Sequence, residues 1–154
     1  MHPISFEDVK SSFFEDDLER WDAPPLDTWS WDFNDFIKWQ HYAAGNYYAC
    51  VPTANGPVGM VFEMNNGNGV SSNVCGLCYA RNNEVGVKAA WVKTATNPRR
   101  KVGMHVCADL GCSLRVRGTL PGHFYYETIS KGRRIERLQT RLEKFANKIR
   151  LISE

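Results

Sequence analysis

Cys75-Gly-Leu-Cys78 and Cys107-Ala-Asp-Leu-Gly-Cys112 stand with 28 residues between them in a chain of 154. Four thiols grouped two and two can close a tetrahedral shell around a single zinc ion, for which thiolates are well suited. The two-residue spacing of the first doublet is that of a zinc knuckle: both sulfurs reach one ion while backbone N–H groups turn toward them. Gly76 relieves the strain of that tight turn. The wider second doublet leaves room for another ligand set. His105 alternates with Cys107 along an extended stretch, so a shell of three cysteines and His105 stands beside the four-cysteine reading.

A closed shell of this kind organises a fold and leaves no open position for a reactive water. No glutamate lies close to either doublet, and the His-x-Glu that precedes Pro-Cys-x-x-Cys in zinc deaminases is absent. A thioredoxin-like role for Cys75-Gly-Leu-Cys78 requires a βαβ setting, whereas a Gly/Asn-rich run, Asn65-Asn-Gly-Asn-Gly69, precedes it. The expectation is a binding module, not an enzyme, with no small-molecule substrate.

Outward from the doublets, the chain alternates strand and turn signals. Tyr47–Pro52 and Val58–Met64 are β-prone runs joined by Asn55-Gly-Pro57, and they predict a hairpin. Val85–Lys93 and Val102–Cys107 predict a second hairpin, joined by the basic loop Thr94–Lys101. A short helix is expected over Asp109–Val116, leading away from the second doublet. Hairpin, knuckle, hairpin and helix come in the order of a treble clef. Ile135, Leu138, Leu142, Phe145, Ile149 and Ile152 then recur every three or four residues, giving a long amphipathic helix over about 130–152.

The N-terminal part is different in character. Ser5-Phe-Glu-Asp8 reads as a capping box that opens a helix running to about Leu18, stopped by Pro24-Pro25. The spacing of Phe33, Phe36 and Ile37 predicts a short helix packed on the sheet. The fold class expected is therefore α+β: a treble-clef zinc-binding domain over 45–154, with residues 1–44 as a helical, aromatic segment packed on it. Cys50, inside an apolar run, is expected to be a small core residue.

Hydrophobic residues make up 43% of the chain and charged ones 23%, which argues for a globular fold rather than disorder. No apolar run is long enough to span a bilayer, and the first residues lack the basic and apolar regions of a signal peptide. With five cysteines and so an unpaired one in any disulfide scheme, a reducing, cytoplasmic setting is expected. Net charge is +2, yet residues 1–50 hold ten acids against three bases, and residues 51–154 hold sixteen bases against seven acids. The basic part offers a contact surface for an acidic partner: Arg99, Arg100 and Lys101 of the loop, Lys93 beside it, and Arg115 and Arg117. RNA is the alternative partner, read along Arg133, Arg134, Arg137 and Arg141 of the long helix.

The string Val74-Cys-Gly-Leu-Cys78, the run Gly103-Met-His-Val-Cys107-Ala-Asp-Leu-Gly-Cys112-Ser-Leu-Arg-Val-Arg-Gly118 and the terminal helix resemble the C-terminal treble-clef domain of the elongation factor G-binding proteins. These form the FusB/FBP family, associated with fusidic acid resistance. The resemblance covers about residues 45–152. It implies that Cys75, Cys78, Cys107 and Cys112 are zinc ligands, that the fold binds elongation factor G, and that it aids release of the drug-trapped factor from the ribosome. The first 45 residues are too short for the helical bundle of the two-domain members, so the chain is similar to the shorter, one-domain type.

Overall fold

The computed structural model describes residues 4–13, 24–40, 45–65, 74–81, 85–94, 99–122, 124 and 128–153. Its centre is an antiparallel sheet of five strands in sequential order: β1 (Ile37–Gln40), β2 (Tyr47–Thr53), β3 (Gly56–Met64), β4 (Val87–Thr94) and β5 (Lys101–Cys107). The β2–β3 hairpin closes over two residues, with Thr53 opposite Gly56. The two expected hairpins are not separate units, because β3 also pairs with β4 from Met60↔Thr94 to Met64↔Ala90. Among the described residues three α-helices flank the sheet: α1 (Phe6–Ser11), α2 (Cys112–Val116) and α3 (Lys131–Ser153).

Alternation along the strands divides the apolar residues between two layers. Met60, Phe62 and Met64 of β3, with Ala90 and Val92 of β4, face α3, whose Leu138, Leu142, Ala146 and Ile149 complete the larger core. The helix lies across β2, β3 and β4. Its three-and-four spacing is the one read in the sequence. The opposite face carries a smaller, ring-rich layer: Ile37, Trp39, Tyr48, Cys50 and Val61, covered by Val9 of α1 and by Phe13. Phe13 meets Trp39 and Tyr48 edge-on with ring centroids 5.7 Å apart in each case, and Trp39 stacks on Tyr48 at 5.4 Å. Gly59 permits that cover, since a Cβ there would lie 2.7 Å from the Ser12 carbonyl oxygen and 2.8 Å from the Phe13 ring.

Three expectations are corrected. The segment around Phe33, Phe36 and Ile37 forms no helix; it is a turn entering β1. Phe36 packs in the larger core and Ile37 in the ring layer, so successive residues serve opposite faces, as only a strand allows. The helix expected from Asp109 begins at Cys112, because Leu110 takes a left-handed backbone (φ 51°) that no helix accommodates. The first helix is capped by Ser5 and Asp8 as read, with Asp8 N–H donating to Ser5 Oγ at 3.1 Å, but it ends at Ser11; residues 14–18 lie outside the described part. Residues 66–69 of the Gly/Asn run and 95–98 of the basic loop lie outside it as well. No helix among the described residues is long and apolar enough to cross a membrane.

Candidate metal centre and its surroundings

The knuckle between β3 and β4 supplies Cys75 and Cys78, the last residue of β5 is Cys107, and the first residue of α2 is Cys112. The four side chains are buried, none is in a disulfide, and their sulfurs all lie within 4.8 Å of one another. Cys75 Sγ is 3.7 Å from Cys112 Sγ, and Cys78 Sγ is 3.6 Å from Cys107 Sγ. A tetrahedron with Zn–S bonds of about 2.3 Å has edges of about 3.8 Å. The cluster therefore has the dimensions of a zinc tetrathiolate shell. His105 is exposed and stands outside it.

Backbone geometry builds the shell from both sides. The amides of Leu77 and Cys78 donate to Cys75 Sγ at 3.4 and 3.5 Å, the N–H···S pattern that a knuckle turn provides. Gly76 N–H donates to the His105 carbonyl at 2.7 Å and so fastens the knuckle to β5. Two non-glycine residues take the left-handed region here: Tyr79 (φ 64°), directly after the first doublet, and Leu110 (φ 51°), inside the second. Such a backbone costs about 1–3 kcal/mol at each position and persists where surrounding contacts fix it.

Burial opposes ionisation of Cys75. Hydrogen bonds from the thiols of Cys107, Cys112 and Cys78, and from the Cys78 backbone, outweigh it and hold the Cys75 thiol well below its usual range. Cys112 is pushed the other way, by its contacts with Cys107, Cys75 and Cys78 and by burial. Once one thiolate has formed, its neighbours resist a second negative charge in the same small volume. A divalent cation at the centre removes that resistance, and this is the donor chemistry that zinc satisfies.

Cationic side chains surround the shell. Arg141 Nε donates to the Gly76 carbonyl at 2.6 Å, and Arg137 donates to the Cys78 carbonyl at 3.4 Å. The same two guanidiniums lie over the Tyr79 ring, 4.2 Å (Arg137) and 4.9 Å (Arg141) from its centroid. Helix α3 thus holds the knuckle by carbonyl and ring together. On the opposite side Arg115 grips Asp109 with two bonds of 2.6 and 2.8 Å, while Asp109 Oδ1 also accepts the Gly111 amide at 2.8 Å. Lys38 reaches across from β1 to the Asp109 carbonyl oxygen and lies over the Tyr47 ring. Burial lowers the Lys38 ammonium pKa, and the Asp109, Cys112 and Cys107 charges oppose that shift.

A second buried ion pair ties the N-terminal part to the clef. Asp35 receives Arg117 through bonds of 2.7 and 2.9 Å and Gln139 of α3 at 2.9 Å, and its amide donates to Ser113 Oγ at 3.1 Å. Burial would raise the Asp35 carboxyl, but the bonds from Arg117 and Gln139 hold it below the ordinary 3.8.

The basic residues expected to form one contact surface fall into two groups. Arg115 and Arg117, with side chains only 3% and 14% exposed, are committed to Asp109 and Asp35 inside the molecule. Lys93 and Lys101 face each other in register at the end of β4 and β5, and Arg99, Arg100 and Lys101 are exposed. Lys101 also bridges to Glu63 at 3.3 Å. Sequence reasoning did not single out Trp91, 59% exposed on β4, or the acids Asp35 and Asp109. Asp109 sits inside the second doublet, a position that hints at a role; nothing near Asp35 signals one.

A family model described as the FBP C-terminal treble-clef zinc-finger matches residues 9–149. Among solved structures, that of the fusidic acid resistance protein FusC is similar, with a TM-score of 0.52 over 73% of this chain at 15% identity. The match covers 52% of the FusC chain, so this chain spans about half the length of that protein, and at such identity the likeness is one of fold. No curated protein matches the chain in sequence. With the family match, the four-sulfur cluster assigns zinc as the metal.

Proposed function

The chain belongs to the FBP C-terminal treble-clef zinc-finger family, and from that premise we propose that it is a zinc-stabilised module that docks on a translation factor, elongation factor G. In this reading Cys75, Cys78, Cys107 and Cys112 are the zinc ligands, and docking aids release of the factor from the ribosome, with tolerance of fusidic acid as the consequence. The observation that carries it is the closed, buried shell of four sulfurs, which leaves the metal no open position for chemistry. Such a centre holds β5, α2 and the knuckle rigid, so a partner is bound with little ordering cost. The likeness in fold to a fusidic acid resistance protein supports the same reading.

Lys93, Arg99, Arg100 and Lys101 form the charged part of the docking surface, facing an acidic patch on the factor. Residues 1–44 and 45–154 act as one folded unit, a view supported by the β1–β2 pairing and by the Asp35–Arg117 bond across residue 45. RNA binding along the arginines of α3 finds less support. Arg134 lies over the Phe124 ring at 4.3 Å, and Arg137 and Arg141 are engaged with Tyr79 and the knuckle.

The test is capture of purified elongation factor G by the zinc-loaded protein at low and moderate salt, with ribosomes as a separate arm. Stoichiometric capture that survives moderate salt, and weakens when Arg99, Arg100 and Lys101 are replaced by alanine, is the expected result. Failure to retain the factor at either salt would end the reading.

A further inference from the structure

The two layers that flank the sheet do not cover it equally. On the face opposite α3, β1, β2 and the middle of β3 lie beneath Val9 and Phe13, whereas among the described residues none covers β4 and β5. Trp91 stands on this open face, since its neighbours Ala90 and Val92 point into the larger core. It is paired with Glu63 on β3 and Gly103 on β5. A Cβ built at Gly103 would lie 3.4, 3.7 and 3.8 Å from three atoms of the six-membered ring of Trp91. Near-equal distances to adjacent atoms of the ring mean that the indole lies face-down over the glycine. Its other face is turned to solvent, and 59% of the residue is exposed.

Around the ring runs a shallow groove of about 600 Å³, lined among others by Glu63, Asn65, Ala89, Gly103 and His105. The neighbours of Trp91 in strand register on this face, Glu63, Gly103, Ala89 and Lys93, include no second large apolar side chain, and Met64 and Met104 line the groove beyond them. A protein hot spot is ringed by contacts that exclude water, whereas this groove also has the polar residues Glu63, Asn65 and His105 in its lining. A flat aromatic surface on an open antiparallel sheet with cations at its margin has instead the parts that hold unpaired bases: a π-face for the base and positive charge for the adjoining phosphates. Lys93, Arg99, Arg100 and Lys101 provide that charge at one end, where Glu63 is bridged to Lys101.

We propose that the open face of β4 and β5 binds single-stranded nucleic acid, with one unpaired base stacked on Trp91 and the neighbouring phosphates met by Lys93 and Lys101. This goes beyond docking on a translation factor and does not depend on it. The groove is open and the ring is planar, so stacking is tolerant of base identity, and duplex, whose bases are already stacked, is excluded from it.

The experiment is a fluorescence-anisotropy titration of labelled single-stranded RNA octamers, oligo(U) and oligo(A), and of a duplex of equal length, against the zinc-loaded full chain. Single strands should bind in preference to duplex. Trp91→Ala should weaken them about 5- to 150-fold, the range expected for one missing base stack, while Trp91→Phe retains most of the binding. Replacing Lys93 and Lys101 together should flatten the salt dependence, by about 0.7 in log–log slope for each phosphate no longer neutralised. Zinc content and melting temperature of Trp91→Ala serve as fold controls and should match the wild type. Absent binding by the wild type, equal binding of duplex, or unchanged binding by Trp91→Ala would each overturn the proposal. Loss of elongation factor G capture by Trp91→Ala, with no RNA bound by the wild type, would make Trp91 a protein anchor and overturn it in favour of the docking surface.

Discussion

The sheet of this protein carries two apolar layers that are held together in different ways. On one side the core under α3 is joined to four cysteine sulfurs from the knuckle, β5 and α2, clustered as a metal ion requires. On the other, α1 and Phe13 cover a cluster of rings and aliphatic side chains. A cysteine sits in each setting and behaves accordingly. Cys107 is one of four sulfurs within 4.8 Å of one another, positioned to share an ion. Cys50 stands apart from them, and burial pushes its thiol up to about 12 despite the nearby Ser12 hydroxyl, so it remains a neutral core group. The same residue type joins a cluster suited to an ion or fills a core according to the company that the fold gives it. The metal side gains rigidity from one strong centre, and the ring side depends on close fit.

Cys107→Ser tests the metal side with the largest expected effect. Structural zinc contributes on the order of 10–16 kcal/mol in small zinc-finger peptides, comparable to the net stability of a whole domain. The variant should lose cooperative folding of the clef, and chelation of the wild type should do the same. Thermal melts of Cys107→Ser that overlay those of the wild type would remove the metal centre from the account.

Asp35 joins the two parts of the chain, and breaking its buried pair comes next. Asp35→Ala leaves Arg117 buried without its carboxylate and should cost about 3–5 kcal/mol in urea unfolding. The depressed carboxyl gives this loss a pH signature. The folded-state pKa lies below 3.8, so the contribution is complete above that value and is lost only as pH falls through the lower folded value. The difference between wild type and variant should thus be the same at about pH 7 and about pH 5; a difference that shrinks over that interval would mean that Arg117 and Gln139 do not hold the carboxyl down.

The ring side is probed by smaller changes. Gly59→Ala places a methyl group against the Ser12 carbonyl and the Phe13 ring, and should destabilise by about 1–3 kcal/mol as the cover is pushed outward. A melting temperature equal to that of the wild type would show that α1 and Phe13 contribute little. Cys50→Ser exchanges a buried thiol for a hydroxyl and should cost about 1–2 kcal/mol, leaving the zinc content unchanged from that of the wild type. A drop in bound zinc would contradict the separation of the two cysteine roles.

Much of the clef was legible because its signals are local. The doublets fix where two loops must turn, the three-and-four spacing fixes α3, and Ser5 with Asp8 fixes where α1 begins. Phe33, Phe36 and Ile37 misled because aromatic and β-branched residues at helical spacing also suit a strand buried on both faces, and the second face exists only once α1 and Phe13 cover it. The expected basic surface was legible as composition and not as location. Residues Arg99, Arg100 and Lys101 reach solvent, while Arg115 and Arg117 turn inward to acids 6 and 82 positions away in sequence.

By itself, then, the sequence determined two cysteine doublets able to share an ion, the β2–β3 and β4–β5 hairpins and a long amphipathic helix, since each rests on the spacing of neighbours along the chain. Only the tertiary structure decided which cations are spent inside the molecule, which aromatic faces water, and that the residues before 45 complete the same sheet. An arginine's position in the chain does not say whether its guanidinium will meet a carboxylate, a ring or solvent. That choice is made when distant segments pack, because a buried charge must find its partner wherever the fold brings one within reach.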